Sequence, residues 1–137
     1  MSKKISIGLL SGYLFFTLAI TVLDRTSFEG LHFQPQLFWS WSVPRLRDQI
    51  IMNVVGFILI GFLLASVLGD KHKRGSSRVW LAVPLAALFS LSIELLQLVT
   101  SRGLFEFDDI LHNTLGAVIG VIIYSIFTKL SNCSQGD

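Results

Sequence analysis

The chain has 137 residues, of which 52% are hydrophobic and only 15% charged, with a formal net charge of +2. Soluble domains carry roughly 25% charged residues, so this composition argues against a water-soluble fold and for a single membrane domain. The small net charge gives no basis for nucleic-acid binding, and a lone cysteine, Cys133, excludes an internal disulfide or a cysteine-based zinc site.

Four apolar stretches, at residues 5–23, 50–69, 79–99 and 110–128, are each about the 20 residues that a membrane-spanning helix needs. The first follows Lys3 and Lys4. It outruns the roughly 7–15 apolar residues of a signal peptide and lacks a small-x-small cleavage site, so it reads as an uncleaved helix. Its Gly8 and Gly12 form a small-xxx-small step, the pattern that lets helix backbones approach closely.

The connection that follows, "DRTSFEGLHFQPQLFWSWSVPRLRD", interleaves Phe28, Phe33, Phe38, Trp39 and Trp41 with Pro35, Pro44 and Arg45. Aromatic rings favour the membrane–water interface. The segment therefore reads as an aromatic anchor along the surface, or as a lid over neighbouring groups. The second span opens with Arg47 and Asp48 and carries Asn53 one turn in.

A short basic connection, "DKHKRGSSR", leads to the third span, which holds Glu94 and Gln97 near its end. Arg102 and Gly103 follow, the glycine suited to a turn after the helix. Asp108 and Asp109 introduce the fourth span, which contains Asn113 and a second small-xxx-small step, Gly116 and Gly120. Residues 129–137 read as a polar tail.

Basic residues set the orientation. With the N-terminus cytoplasmic, the inner side holds Lys3, Lys4, Lys71, Lys73, Arg74, Arg78 and Lys129, against Arg25, Arg45, Arg47 and Arg102 outside. The expected fold is all-α: an integral membrane four-helix bundle of the plasma membrane, N-in/C-in, with two outer loops. All the outer basic residues are arginines, whose planar fork suits carboxylates and phosphates.

This topology gathers the polar residues at the outer face. Glu94 and Gln97 share a helix face at i,i+3, and Asp109 and Asn113 do so at i,i+4, as do Asp108 and His112. The expected binding residues are Arg47, Asn53, Glu94, Gln97, Arg102, Asp108, Asp109 and Asn113. Glu94 and Asp109 are the candidates for proton transfer if chemistry occurs. Simpler roles compete: either aspartate as a helix cap, Glu94 as a partner of Arg102, and the asparagines as interhelical hydrogen-bond donors and acceptors. The segments "NVVGFILIG" and "NTLGAVIG" both begin Asn-x-x-Gly and hint at an internal repeat.

No sequence pattern calls for a cofactor. The carboxylates lack the spacing of a metal site, Ser101 and His112 have no hydrolase motif around them, and there is no phosphate-cradling glycine loop.

Taken together, "NVVGFILIG", "IELLQ" and "R…FDDILHNTLGAVIG" resemble the VanZ-like family of small bacterial membrane proteins, over about residues 47–128. The resemblance implies a four-helix membrane domain linked to the cell envelope, and its polar signature falls on Asn53, Glu94, Gln97, Arg102, Asp109 and Asn113. The family's namesake is associated with resistance to the glycopeptide teicoplanin. Leu59, Glu106 and His112 depart from the family's commoner residues. The expected ligand is a membrane lipid or an envelope precursor held in an outward-facing polar pocket. A structural protein using the cluster as helix glue, and a small-solute transporter, are the alternatives. No pattern sets an oligomeric state.

Overall fold

The computed structural model describes residues 2–23, 33–34, 37–38, 41, 46–69 and 77–133. Helix α1 runs Lys3–Leu18, capped by the Ser2 hydroxyl, which accepts from the Ile5 N–H at 3.4 Å, and it ends in a π turn, Ala19–Leu23. Helix α2 spans Arg47–Leu68. A 3₁₀ turn, Ser77–Leu81, feeds α3, Ala82–Thr100, whose Pro84 sits in the first turn, where a missing N–H costs no helical bond. Helix α4 is Phe107–Cys133. All four helices, with their flanking turns, are long and apolar enough to cross a membrane, at 20, 22, 24 and 27 residues.

The all-α bundle expected from the sequence is thus observed, with two differences. Helix α4 starts three residues earlier than its apolar run and continues to Cys133, so residues 129–133 are helical rather than tail. Acids in a first turn favour the helix dipole, and Asp108 and Asp109 supply them. At the far end the Thr128 hydroxyl bonds back to the Tyr124 carbonyl at 3.0 Å, which lets a polar residue remain helical. The second difference is a two-residue parallel pairing of β1, Phe33–Gln34, with β2, Phe105–Glu106, which ties the first connection to the third.

Side-chain bonds fix how the helices align. Gln97 near the end of α3 reaches Thr21 beyond α1, Gln49 at the start of α2 reaches Asp109 at the start of α4, and Asn113 of α4 reaches Ser90 of α3. Neighbouring helices in sequence are therefore antiparallel, and α2 and α4 run in the same direction. Those two pack most intimately. A Cβ on Gly116 would strike the Val54 carbonyl, one on Gly120 the Ile58 carbonyl, and one on Gly61 the Ala117 carbonyl. Close approach of backbones through small residues is how membrane helices gain packing energy when lipid and side chains are equally apolar. Phe57, Ile60, Ile93, Ala86 and Ala117 fill the core between α2, α3 and α4.

The reading of Gly116 and Gly120 as packing glycines holds, and that of Gly8 and Gly12 does not. Among the described residues nothing lies within 4 Å of a Cβ built on either one. They border an apolar groove of about 380 Å³ between α1 and α2, lined also by Tyr13, Phe16, Leu59 and Leu63. Helix α1 is instead tethered by the Tyr13 hydroxyl, which donates to the Gly56 carbonyl at 3.2 Å. The likeness of the two Asn-x-x-Gly segments does not extend to their packing either, since Gly56 faces α1 while Gly116 faces α2. Phe28, Pro35, Trp39, Pro44 and Arg45 lie outside the described residues, as do Arg25, Lys71, Lys73 and Arg74.

Candidate functional site

The C-terminal ends of α1 and α3 and the N-terminal ends of α2 and α4 meet at one end of the bundle. There α3 turns Ser90, Glu94 and Gln97 inward along one face, all buried. Gln97 donates its amide Nε2–H to the Thr21 carbonyl at 2.8 Å. One carboxylate oxygen of Glu94, 2% exposed, accepts the backbone N–H of Glu106 at 2.9 Å. The acid thereby anchors β2 to α3.

Between them the chain turns sharply. Ser101 takes the left-handed conformation, with φ 53°, while the N–H of Arg102 reaches the Gln97 carbonyl at 2.9 Å and that of Ser101 the Leu98 carbonyl at 3.3 Å. Such a helix end usually has glycine at the left-handed position. Here the glycine comes two residues later, at Gly103, with φ 111°, in keeping with the turn expected of it.

The first two turns of α4 supply the remaining groups. Asp108 Oδ1 accepts the backbone N–H of Phe38 at 2.6 Å, and Asp109 accepts the Gln49 amide at 3.1 Å on Oδ2. His112 Nε2 accepts the indole N–H of Trp41 at 2.8 Å, and the two rings stack at 28°. Asn113 donates to the Ser90 hydroxyl at 2.8 Å. Because α4 begins at Phe107, neither aspartate occupies the capping position; both lie inside the first turn. The capping role considered for them is replaced by cross-links to the first connection and to α2.

Six of the eight predicted residues face this region. Glu94, Gln97, Asp108, Asp109 and Asn113 are buried, and Asn53, half-buried, stands one turn in from Gln49 as Asn113 does from Asp109. Arg102 is half-buried in the turn after α3, whereas Arg47, the first residue of α2, is exposed. Asp48, beside Arg47 at the start of α2, is also exposed; its neighbour Gln49 points inward instead.

Sequence reasoning missed Gln49, Ser90 and the buried Glu106, and it saw His112 only as a helix neighbour of Asp108. Level placement of the two Asn-x-x-Gly segments would have put Gln49 opposite Asp109. Glu106 carried no comparable signal, because it lies in the short connection before α4, in the two-residue pairing of 33–34 with 105–106, and not on a helix face.

Four carboxyl-bearing side chains, Glu94, Glu106, Asp108 and Asp109, are therefore buried together at one end of a membrane bundle. Several buried polar atoms there have no hydrogen-bond partner among the described residues: Gln97 Oε1, Asn113 Oδ1, Asn53 Nδ2 and His112 Nδ1. No three His, Cys, Asp or Glu side chains among the described residues converge as metal ligands would.

A helical bundle of four potential membrane spans with its polar groups packed at one end is a multi-pass membrane protein. The chain belongs to the VanZ/LLP1 family, whose model matches residues 5–128 and so takes in α1 as well as the segments that carry the resemblance. No curated protein and no solved structure matches it.

Proposed function

We propose that this protein holds a cell-envelope component, a lipid or a lipid-linked precursor, in a polar pocket at the Glu94–Asp109 end of the bundle. That end lies at the outer face of the bacterial plasma membrane, with both termini cytoplasmic. The observation that carries the reading is the set of unpartnered polar atoms beside buried acids. A buried polar atom left without a partner costs about 1–3 kcal/mol, and a charged group inside a membrane segment costs several kcal/mol on insertion scales. A cluster kept at that cost fits a binding role better than a packing role. Arg47 and Arg102 flank the mouth, where a lipid phosphate would meet them. Glu94 and Asp109 are the groups able to exchange a proton with whatever is bound.

A second reading has its own support. The Gln97–Thr21 and Asn113–Ser90 bonds each join two elements, as interhelical glue would. Transport is less well served. Away from the cluster the buried core residues Ala65, Val79, Ala82 and Val121 are all apolar, with the ring of Tyr124 packed against them.

The deciding experiment pairs Glu94→Gln with Asp109→Asn in membranes of the native host. It records protein abundance, thermal stability in detergent and sensitivity to teicoplanin and other envelope-directed agents. Normal abundance with altered sensitivity is the expected result. Collapsed abundance would assign the cluster to glue.

A further inference from the structure

Three described points fasten the first connection to α4 and the third connection. β1 pairs with β2, Asp108 holds the Phe38 N–H, and His112 holds the Trp41 indole. The first is backbone pairing. The second needs an acceptor, which a carboxyl group offers whether charged or neutral. The third differs, because its acceptor is an imidazole nitrogen.

An indole N–H can only donate, so His112 Nε2 carries a lone pair and the ring proton sits on Nδ1. That Nδ1 has no partner among the described residues, in a side chain that is 5% exposed. A second proton can enter only at Nε2, where it meets the Trp41 N–H across 2.8 Å, donor against donor. The charged ring left in place would hold two N–H groups and no described acceptor for either. Its stack on the indole, with ring centroids 6.0 Å apart, offers a cation–π attraction. That attraction is weaker than the cost of buried charged donors left unpaired.

Other ionisable side chains stand at this end of the bundle. They are Asp108 and Asp109 on α4, Glu94 on α3, Glu106 and Arg102 in the third connection, and the exposed Arg47 and Asp48 on α2. Arg25 and Arg45 lie outside the described residues. Together these charges set the pH at which His112 takes its second proton. They do not alter the outcome at Nε2, since a protonated nitrogen has no lone pair to offer whatever surrounds it.

We propose that Trp41 and His112 form a proton-sensitive latch, closed while His112 is neutral and released when it is protonated. The released ring turns toward Asp108, four residues earlier on the same helix face. The indole N–H passes to water or lipid, and the β1–β2 pairing keeps its place. Histidine is the side chain whose charge ordinarily changes between about pH 5 and 8, so mild acidification operates the latch. On the orientation proposed above, the proton comes from outside the cell. The latch itself does not depend on the pocket binding a ligand.

The test is a pH titration, from about 8 to 5, of the full-length ¹⁵N-labelled protein in detergent. It follows the Trp41 indole resonance and the His112 ring nitrogens in the same spectra. Trp41→Phe, at a position 61% exposed, assigns the indole signal among the three tryptophans. The expected result is a reversible upfield move of the Trp41 indole proton with the same midpoint as His112. The open-to-closed ratio then changes about tenfold per pH unit, as release by one proton requires. In His112→Gln, whose amide oxygen accepts but does not titrate, the Trp41 signal stays put while His32 and His72 still titrate.

A His112 ring that titrates while Trp41 stays fixed would overturn the latch. So would a Trp41 shift that survives in His112→Gln, which would place the titrating group elsewhere. A His112 that remains neutral down to about pH 5 would overturn it as well. None of these results would touch the pocket reading, which the Glu94 and Asp109 phenotypes decide separately.

Discussion

Trp41 donates its indole proton to His112 at 2.8 Å, fastening the first connection to the second turn of α4. The indole can only donate, so the bond selects the His112 tautomer with its proton on Nδ1. His112→Leu removes the acceptor and leaves the indole N–H to water or lipid. The expected outcome is an upfield shift of the Trp41 indole proton resonance in a ¹⁵N-labelled sample. An unchanged resonance would mean that the contact is not maintained in solution.

A second clasp lies beside the first. Phe38 sits in the left-handed backbone region, with φ 61°, and its N–H is held by Asp108 Oδ1 at 2.6 Å. A bulky residue is strained in that region and stays there only when its surroundings hold it. A hydrogen bond to a charged group contributes about 1.5–3 kcal/mol. Asp108→Ala should therefore speed amide exchange at Phe38 by about tenfold or more, the rate change that about 1.4 kcal/mol corresponds to. Asp108→Asn, which keeps an acceptor without the charge, should fall between. Equal protection in all three proteins would show that other contacts hold the turn.

These clasps mark where sequence reading stops. The four spans were legible because each is a run of apolar residues as long as a bilayer is thick. The meeting of Glu94, Gln97, Asp109 and Asn113 was legible because alternating helix directions bring the end of α3 beside the start of α4. The pairing of Gln49 with Asp109 depends on the register of α2 against α4, which glycines set through backbone contacts and which hydropathy does not encode. Trp41, Phe38 and Glu106 depend on a two-residue strand pairing between segments about seventy positions apart, too short to show a period of two. Gly8 and Gly12 failed for the opposite reason. A spacing that permits close approach does not supply a neighbour, and none is there among the described residues.

The end of α3 offers a stabilising change. Ser101 occupies a left-handed position where glycine carries no Cβ penalty. Its neighbours' backbone bonds, Arg102 to Gln97 and Ser101 to Leu98, do not need the serine side chain. Ser101→Gly should raise stability by about 0.5–1 kcal/mol, less what the glycine adds to the entropy of the unfolded chain. Thermal unfolding in detergent would measure it, with Ser101→Ala as the control expected to gain nothing. A loss in Ser101→Gly would mean that the hydroxyl has a role beyond the turn.

The contrast between the two glycine pairs gives the sharpest test of the packing. At Gly116 a methyl group would run into the Val54 carbonyl and crowd Phe57 Cβ at 3.0 Å, so backbone must move. Overpacking of this kind costs about 1–3 kcal/mol. Because α2 also carries Gln49, displacing it from α4 would lengthen the Gln49–Asp109 bond and loosen the polar cluster one to two turns away. Gly12→Ala meets open space, and alanine is better than glycine in a helix by about 1 kcal/mol. The expected order of thermal stability in detergent is Gly12→Ala at or above the parent and Gly116→Ala clearly below it. If Gly12→Ala were the damaging change, α1 would be packing against something through that face, and the groove beside Tyr13 and Leu63 would be an occupied interface in the membrane.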